Sequence, residues 1–236
     1  MGCGCVGPSK DKYSIENILN EKIQEPKEIT SNLPISEYVK KVFCLINKVR
    51  LNPSEFVTAI EQAEKYIKET NGRKIFDNNN IKVSLNEGKK MFQDCADYLR
   101  NLQPMEELNF CDEIVLECPK EEKNIRDINH FKEKLLEKKE KFGIEAYFKD
   151  SIRVPEISVL LMLVDDSTRN PKKKRETLLN PKYKFIGISS SDNIVGKEEY
   201  KNNDLKDNNI NGGTNNIDKL LKNKLNKPFC AYFTLK

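Results

Sequence analysis

Few side chains in this sequence carry obvious chemistry, and they are unevenly placed. The single histidine, His130, leaves no imidazole pair from which to build a histidine-based metal centre. It lies in Asn129-His130-Phe131 at the start of a charged segment, where a solvent-facing or hydrogen-bonded ring is the plainer reading and a retained ligand the sharper one. Seven cysteines, Cys3, Cys5, Cys44, Cys95, Cys111, Cys118 and Cys230, show no Cys-x-x-Cys spacing. A reducing compartment keeps such a set as thiols, and the five internal ones read as buried and free rather than as zinc ligands. A cysteine nucleophile needs an orienting base, and only His130 beside Cys95, Cys111 or Cys118 would supply one. Asp165-Asp166 reads either as a carboxylate pair or, at the end of an apolar segment, as caps and ion-pair partners for Arg169 or Arg175.

Two further clusters suggest binding rather than reaction. Lys172-Lys173-Lys174-Arg175, preceded by Arg169, is the densest positive run. It suits a solvated turn, an import-like signal, a phosphate or anionic-lipid contact, or docking on an acidic protein surface such as a tubulin tail. Met1-Gly2-Cys3-Gly4-Cys5 places an amine for myristate at Gly2 beside two thiols for palmitate, Cys3 and Cys5. One myristoyl chain binds membrane only marginally and a second acyl chain makes anchoring stable, with Lys10 and Lys12 adding attraction to anionic lipid. Val6 stands where the acylation pattern prefers Ser or Thr.

Composition narrows the classes. Over 236 residues, 41 basic and 37 acidic side chains leave a net charge of +4, too balanced for a general nucleic-acid binder. No stretch approaches the roughly 20 apolar residues of a membrane span, and the first residues lack the apolar core of a secretory signal. The expectation is a cytoplasmic, membrane-associated protein, with no nucleic-acid partner.

These residues must be positioned by elements that the apolar spacing outlines. Residues 1–34 read as a polar arm and 35–236 as one domain. Val39, Val42, Phe43, Ile46 and Val49 recur at helical spacing from Ser36. Asn52-Pro53-Ser54-Glu55 predicts a second helix from Pro53, with Phe56, Ile60, Ala63 and Ile67 on its buried stripe and Asn71-Gly72 at its end. Ser84 and Glu87 form a capping-box pattern ahead of a third helix over about 85–103. Residues 110–142 read as mostly helical with a break near Pro119. Pro155 opens a helix that is apolar on most sides and therefore deeply buried. Residues 182–190 and 228–236 are the clearest strands and are expected to pair antiparallel. Between them, 192–227 is an Asn-rich insertion too polar for a core.

Three segments in this order resemble a known family. They are Ile46-Asn47-Lys48-Val49-Arg50 with Asn52-Pro53, then Leu163-Val164-Asp165-Asp166, then Arg175 with Leu178-Leu179-Asn180-Pro181-Lys182-Tyr183-Lys184-Phe185-Ile186-Gly187-Ile188. Together they look like a CAP domain, the superfamily of cysteine-rich secretory, antigen 5 and pathogenesis-related proteins, over residues 36–236. The resemblance implies an α+β fold, a three-layer α-β-α sandwich with a small antiparallel sheet, here with the long Asn-rich insertion. It also implies a cleft where two histidines and two acids can hold a divalent metal. In this chain His130 matches one histidine, Glu145 in Ile144-Glu145-Ala146 the glutamate, and Asp165 the other acid. The family's Gly-His-Arg turn falls on Lys173-Lys174-Arg175, so Lys174 stands at the second histidine position. An ammonium there repels a cation, and the resemblance therefore implies a degenerate site with no metal and no cofactor. The resulting expectation is a non-catalytic binding protein tethered to a cytosolic membrane face and taking lipid or protein. The alternative is a structural component of a cytoskeletal or ciliary, microtubule-associated assembly.

Overall fold

The computed structural model of the chain describes residues 15, 28–78, 80–118, 125–167, 169–191 and 231–236. Gly2, Cys3, Cys5, Pro119, Cys230 and the 192–227 insertion therefore lie outside the described residues. The chain is an α+β protein that divides into two compact units. One contains Lys41–Glu107 and Val154–Lys182; the other contains Ile29–Lys40, Leu108–Arg153 and Tyr183–Lys236. Among the described residues no helix is long and apolar enough to cross a membrane.

Helix α1 spans Glu37–Leu51, and its residues from Lys41 onward belong to the first unit. Val42, Leu45, Ile46 and Val49 are buried on its apolar stripe. Its last turn carries Arg50, which is fully buried. Arg50 Nε donates to the Glu106 carbonyl at 2.8 Å, and Nη1 donates to those of Leu178 (2.7 Å) and Asn180 (3.2 Å). In return the Arg50 carbonyl accepts the Met105 N–H at 2.8 Å. Burial pulls the Arg50 pKa down to about 10 against the opposing charge of Glu106, so carbonyl dipoles must hold the cation.

Past Leu51 the predicted long helix is interrupted. Pro53–Phe56 forms a 3-10 turn without a side-chain cap from Asn52, and helix α2 covers only Val57–Glu64. Ile67, expected on a helical stripe, instead opens strand β1 (Ile67–Thr70), which pairs antiparallel with β2 (Arg73–Asn78) and then β3 (Ile81–Leu85). Asn71 and Gly72 have φ of 51° and 73°, the left-handed pair required by a two-residue hairpin turn, rather than a helix end. Phe76 faces inward from β2 and stacks on Phe92 of helix α3 (Lys89–Asn101), with ring centroids 6.1 Å apart. Ser84 lies within β3 and does not cap α3.

Helix α5 (Pro155–Val164) is buried almost all round, as its composition requires; only Pro155 and Leu161 are half-buried. Its Glu156 is 4 % exposed and ion-paired to Lys41, which keeps the carboxylate from being buried alone. Helix α6 (Lys173–Leu178) follows after a turn.

In the second unit the expected antiparallel pair is present. Strand β6 (Phe185–Ser190) pairs with β7 (Ala231–Leu235), Ile186 opposite Leu235 and Ser190 opposite Ala231. The sheet is larger and more mixed than expected, in the order β4-β6-β7-β5, with β4 (Asn109–Phe110) parallel to β6 and β5 (Ala146–Asp150) antiparallel to β7. Helix α4 covers Ile125–Phe142, whereas 111–118 holds only a 3-10 turn at Asp112–Ile114. Thr234 Oγ1 donates to the Ile114 carbonyl at 2.6 Å, and Ser189 donates to that of Leu116, lashing this irregular segment to β6 and β7. Phe148 and Phe233 stack across β5 and β7 at 4.9 Å.

The close approach of segment 114–115 to β6 requires Gly187. A Cβ there would stand 2.7 Å from Thr234 Oγ1 and 2.8 Å from both the Ile114 carbonyl carbon and the Val115 nitrogen. Main chain cannot yield as a flexible side chain does, so Gly187→Ala is expected to lower stability by about 1–3 kcal/mol, read as a lower urea midpoint. An unchanged midpoint would contradict this packing.

Candidate functional site

The two aspartates at the end of α5 define the site. Asp165 adopts a left-handed conformation, φ 43° and ψ 60°, which Asp tolerates better than most residues, and this turns the chain out of the helix. Its carboxylate Oδ2 accepts the Lys174 N–H at 2.7 Å and its carbonyl accepts the Lys172 N–H at 3.1 Å, so Asp165 organises the start of α6. Burial pushes the Asp165 carboxyl up, opposed by the Lys174 N–H and by the charges of Lys174 and Arg175. Asp166 points elsewhere. Its carboxylate accepts the consecutive main-chain N–H groups of Asn86 (3.0 Å), Glu87 (2.9 and 3.0 Å) and Gly88 (2.8 Å) at the start of α3. A carboxylate there meets the positive end of the helix dipole and satisfies donors that Ser84 leaves unmet.

With α3 and α6 fixed in this way, their side chains form a cluster. Asp94 of α3 receives Lys172 Nζ on Oδ1 at 2.7 Å and Arg175 Nη2 on Oδ2 at 2.5 Å. Burial works against ionisation of Asp94, but these two hydrogen bonds and the positive charges of Arg175 and Lys172 together outweigh it and hold the carboxyl below the usual carboxylate range. Arg175 is 2 % exposed, and its guanidinium carbon lies 4.9 Å from the centroid of the Tyr98 ring, a cation–π contact. Its Nε and Nη1 are buried without a hydrogen-bond partner. Cys95, fully buried beside the guanidinium, has its thiol pushed up to about 11 by burial despite that charge. At neutral pH it is a protonated, unreactive thiol.

Asp94, Tyr98, Asn101, Lys172, Arg175 and Glu176 are among the residues lining an open cleft of about 490 Å³. The lining is mostly charged or hydrogen-bonding, which suits a polar ligand held by paired charges.

The sequence-predicted residues fare differently. Asp165 and Lys174 meet, but through the Lys174 main chain. His130 is exposed on α4, and Glu145 is exposed and donates its N–H to the Leu235 carbonyl at 3.0 Å. Among the described residues no group of three or more His, Cys, Asp or Glu side chains could hold a metal. The basic run is not one surface patch: Arg175 is buried and Lys172 is spent on Asp94, while Arg169 and Lys173 are exposed. Cys44, Cys95, Cys111 and Cys118 are reduced thiols; Cys95 and Cys118 are buried, Cys44 and Cys111 half-buried. Asp94 and Tyr98 were missed by sequence reasoning, although with Asn101 they stand at i, i+4 and i+7 on one helix face.

The Asp94 pairing has a pH signature. Its folded pKa is depressed, so the stability it adds is fully present above the unfolded value of about 3.9 and is lost as pH falls through the folded pKa. Asp94→Asn is expected to be less stable than wild type at pH 7, with the gap closing in strong acid. Urea midpoints measured from neutral to strongly acidic pH test this, and a gap independent of pH would contradict it.

Compared with protein-family profiles, curated proteins and solved structures, the chain finds no match.

Proposed function

We propose that this chain is a CAP-like, non-catalytic binding protein, held at a cytosolic membrane face by acylation of Gly2 with Cys3 or Cys5, whose α3–α6 cleft receives a protein segment. The observation that carries the non-catalytic reading is the Asp165 carboxylate taking the Lys174 N–H at 2.7 Å. The acid that the CAP resemblance would make a metal ligand is engaged in capping α6. The side chain at the neighbouring ligand position is an ammonium, so the donor set does not fit a divalent cation. The CAP-type sandwich belongs to this proposal too. It is supported by the order of the motifs: Asn47 and Arg50 buried on α1, Asp165-Asp166 closing the buried α5, and 178–188 leading into β6.

Protein is preferred to lipid as the cleft's ligand because its walls alternate cations and carboxylates, Lys172 and Arg175 against Asp94, Asp97 and Glu176. Such a surface selects by charge register. Membrane attachment then falls to the acylated arm, whose two chains would supply affinity that one cannot.

Calorimetric titration of the full chain with zinc is expected to show no tight one-to-one site, and such a site would overturn the degenerate reading. In eukaryotic cells, wild type is expected in the membrane fraction and Gly2→Ala in the soluble one. Unchanged partitioning would remove the anchor from the proposal.

A further inference from the structure

The hairpin sheet of the first unit has two unlike faces. In antiparallel register, directly opposed residues project to the same side. Ile67, Phe76 and Val83 therefore share the inner face, on which Phe76 is fully buried. The opposite face carries Lys68 and Thr70 from β1, Arg73 and Asp77 from β2, and Lys82 and Ser84 from β3, around the half-buried Ile75. Every one of these residues other than Ile75 and Asp77 is exposed.

Three cations and one carboxylate leave this face with a net charge of +2. Asp77 lies opposite Lys82 in the register, and its Oδ2 is 2.9 Å from Lys68 Nζ, so it offsets part of the charge of both and the excess positive charge is shared over Lys68, Arg73 and Lys82. Neighbouring strands lie about 4.8 Å apart, which puts β1 and β3 roughly 10 Å from each other. That is about one Debye length at 0.1 M salt, so an opposing surface meets the three cations as a single patch.

We propose that the outer face of the β1-β2-β3 sheet is a docking surface for an anionic phospholipid bilayer, with Lys68, Arg73 and Lys82 taking the headgroup charge. This rests on the membrane-face reading above and extends it, giving the tethered domain a preferred side and the membrane a required composition. A bilayer fits better than a single-stranded nucleic acid, because none of the residues on this face is aromatic and base stacking would have no platform. The hydroxyls of Thr70 and Ser84 are suited to donate to phosphate oxygens between the cations. A broad sheet face also meets a broad anionic plane more naturally than it meets a narrow peptide. None of this surface was apparent from the basic run at 169–175.

The test uses the full chain made in bacteria without acylation, so that its result is independent of the anchor. Co-sedimentation is measured with vesicles of phosphatidylcholine alone and with about one third phosphatidylserine. Binding to the anionic vesicles only, weakening as salt is raised, is the expected result. The triple variant K68Q/R73Q/K82Q should lose roughly fivefold in affinity per residue removed. A control with the same charge change on α4, K132Q/K134Q/K141Q, should bind nearly as wild type does. Equal binding to neutral vesicles, or equal loss in the control, would overturn the proposal. So would tighter binding of this face to soluble polyglutamate than to the anionic vesicles, which would assign it to an acidic protein. Failure of the acyl anchor, seen as Gly2→Ala partitioning like wild type, leaves this assay untouched.

Discussion

The first unit depends on two adjacent carboxylates facing opposite ways. α5 is so apolar that it can only be buried, and a buried helix must still satisfy what lies at its end. Asp165 breaks the helix in a left-handed conformation and caps α6, while Asp166 reaches the three consecutive N–H groups that lead into α3. One dipeptide therefore ties three helices together. Each cap is worth about 1 kcal/mol by ordinary measure, but the arrangement also decides where α3 and α6 present Asp94, Tyr98 and Arg175. Asparagine at either position would keep some acceptors and lose the charge that suits a helix N-terminus.

Two buried guanidiniums show how differently a cation can be accommodated. Arg50 is surrounded by main-chain carbonyls of Glu106, Leu178 and Asn180, and acts as a cross-link between segments distant in sequence. Arg175 instead has a carboxylate, an aromatic face and two donors that make no hydrogen bond. The first arrangement is close to saturated; the second leaves polar groups unpaired at a cost. The less satisfied guanidinium is the one that lines the cleft. Its neighbour Cys95 is too deeply buried to react, which separates this cluster from nucleophilic chemistry.

Much of this was legible in the sequence where composition alone decides the outcome. The all-round apolar run after Pro155 had to be a buried helix, and the alternating β6 and β7 segments had to be strands. The capping role of Asp165-Asp166 was also among the readings available. The β1-β2-β3 sheet was not read, because Ile67 continues a helical spacing begun at Phe56 and Asn71-Gly72 serves equally as a helix end and as a hairpin turn. Period alone cannot separate those readings; the short apolar alternation at 73–85 was the signal that favoured strands. Ser84 and Glu87 matched a capping box by spacing, yet the cap came from Asp166, about 80 residues away, and long-range capping leaves no local pattern. The charge pairing of Asp94 with Lys172 and Arg175 was hidden for the same reason, which made a committed cluster look like an exposed basic run.

Amide hydrogen exchange reports this twin-cap arrangement most directly. In the wild-type chain the amides of Asn86, Glu87, Gly88 and Lys174 should be protected. Asp166→Ala should speed exchange of the first three by about tenfold, equivalent to about 1.4 kcal/mol, while leaving Lys174 unchanged, and Asp165→Ala should do the reverse. Amides at 86–88 that exchange freely in wild type, or that ignore the loss of Asp166, would contradict the account.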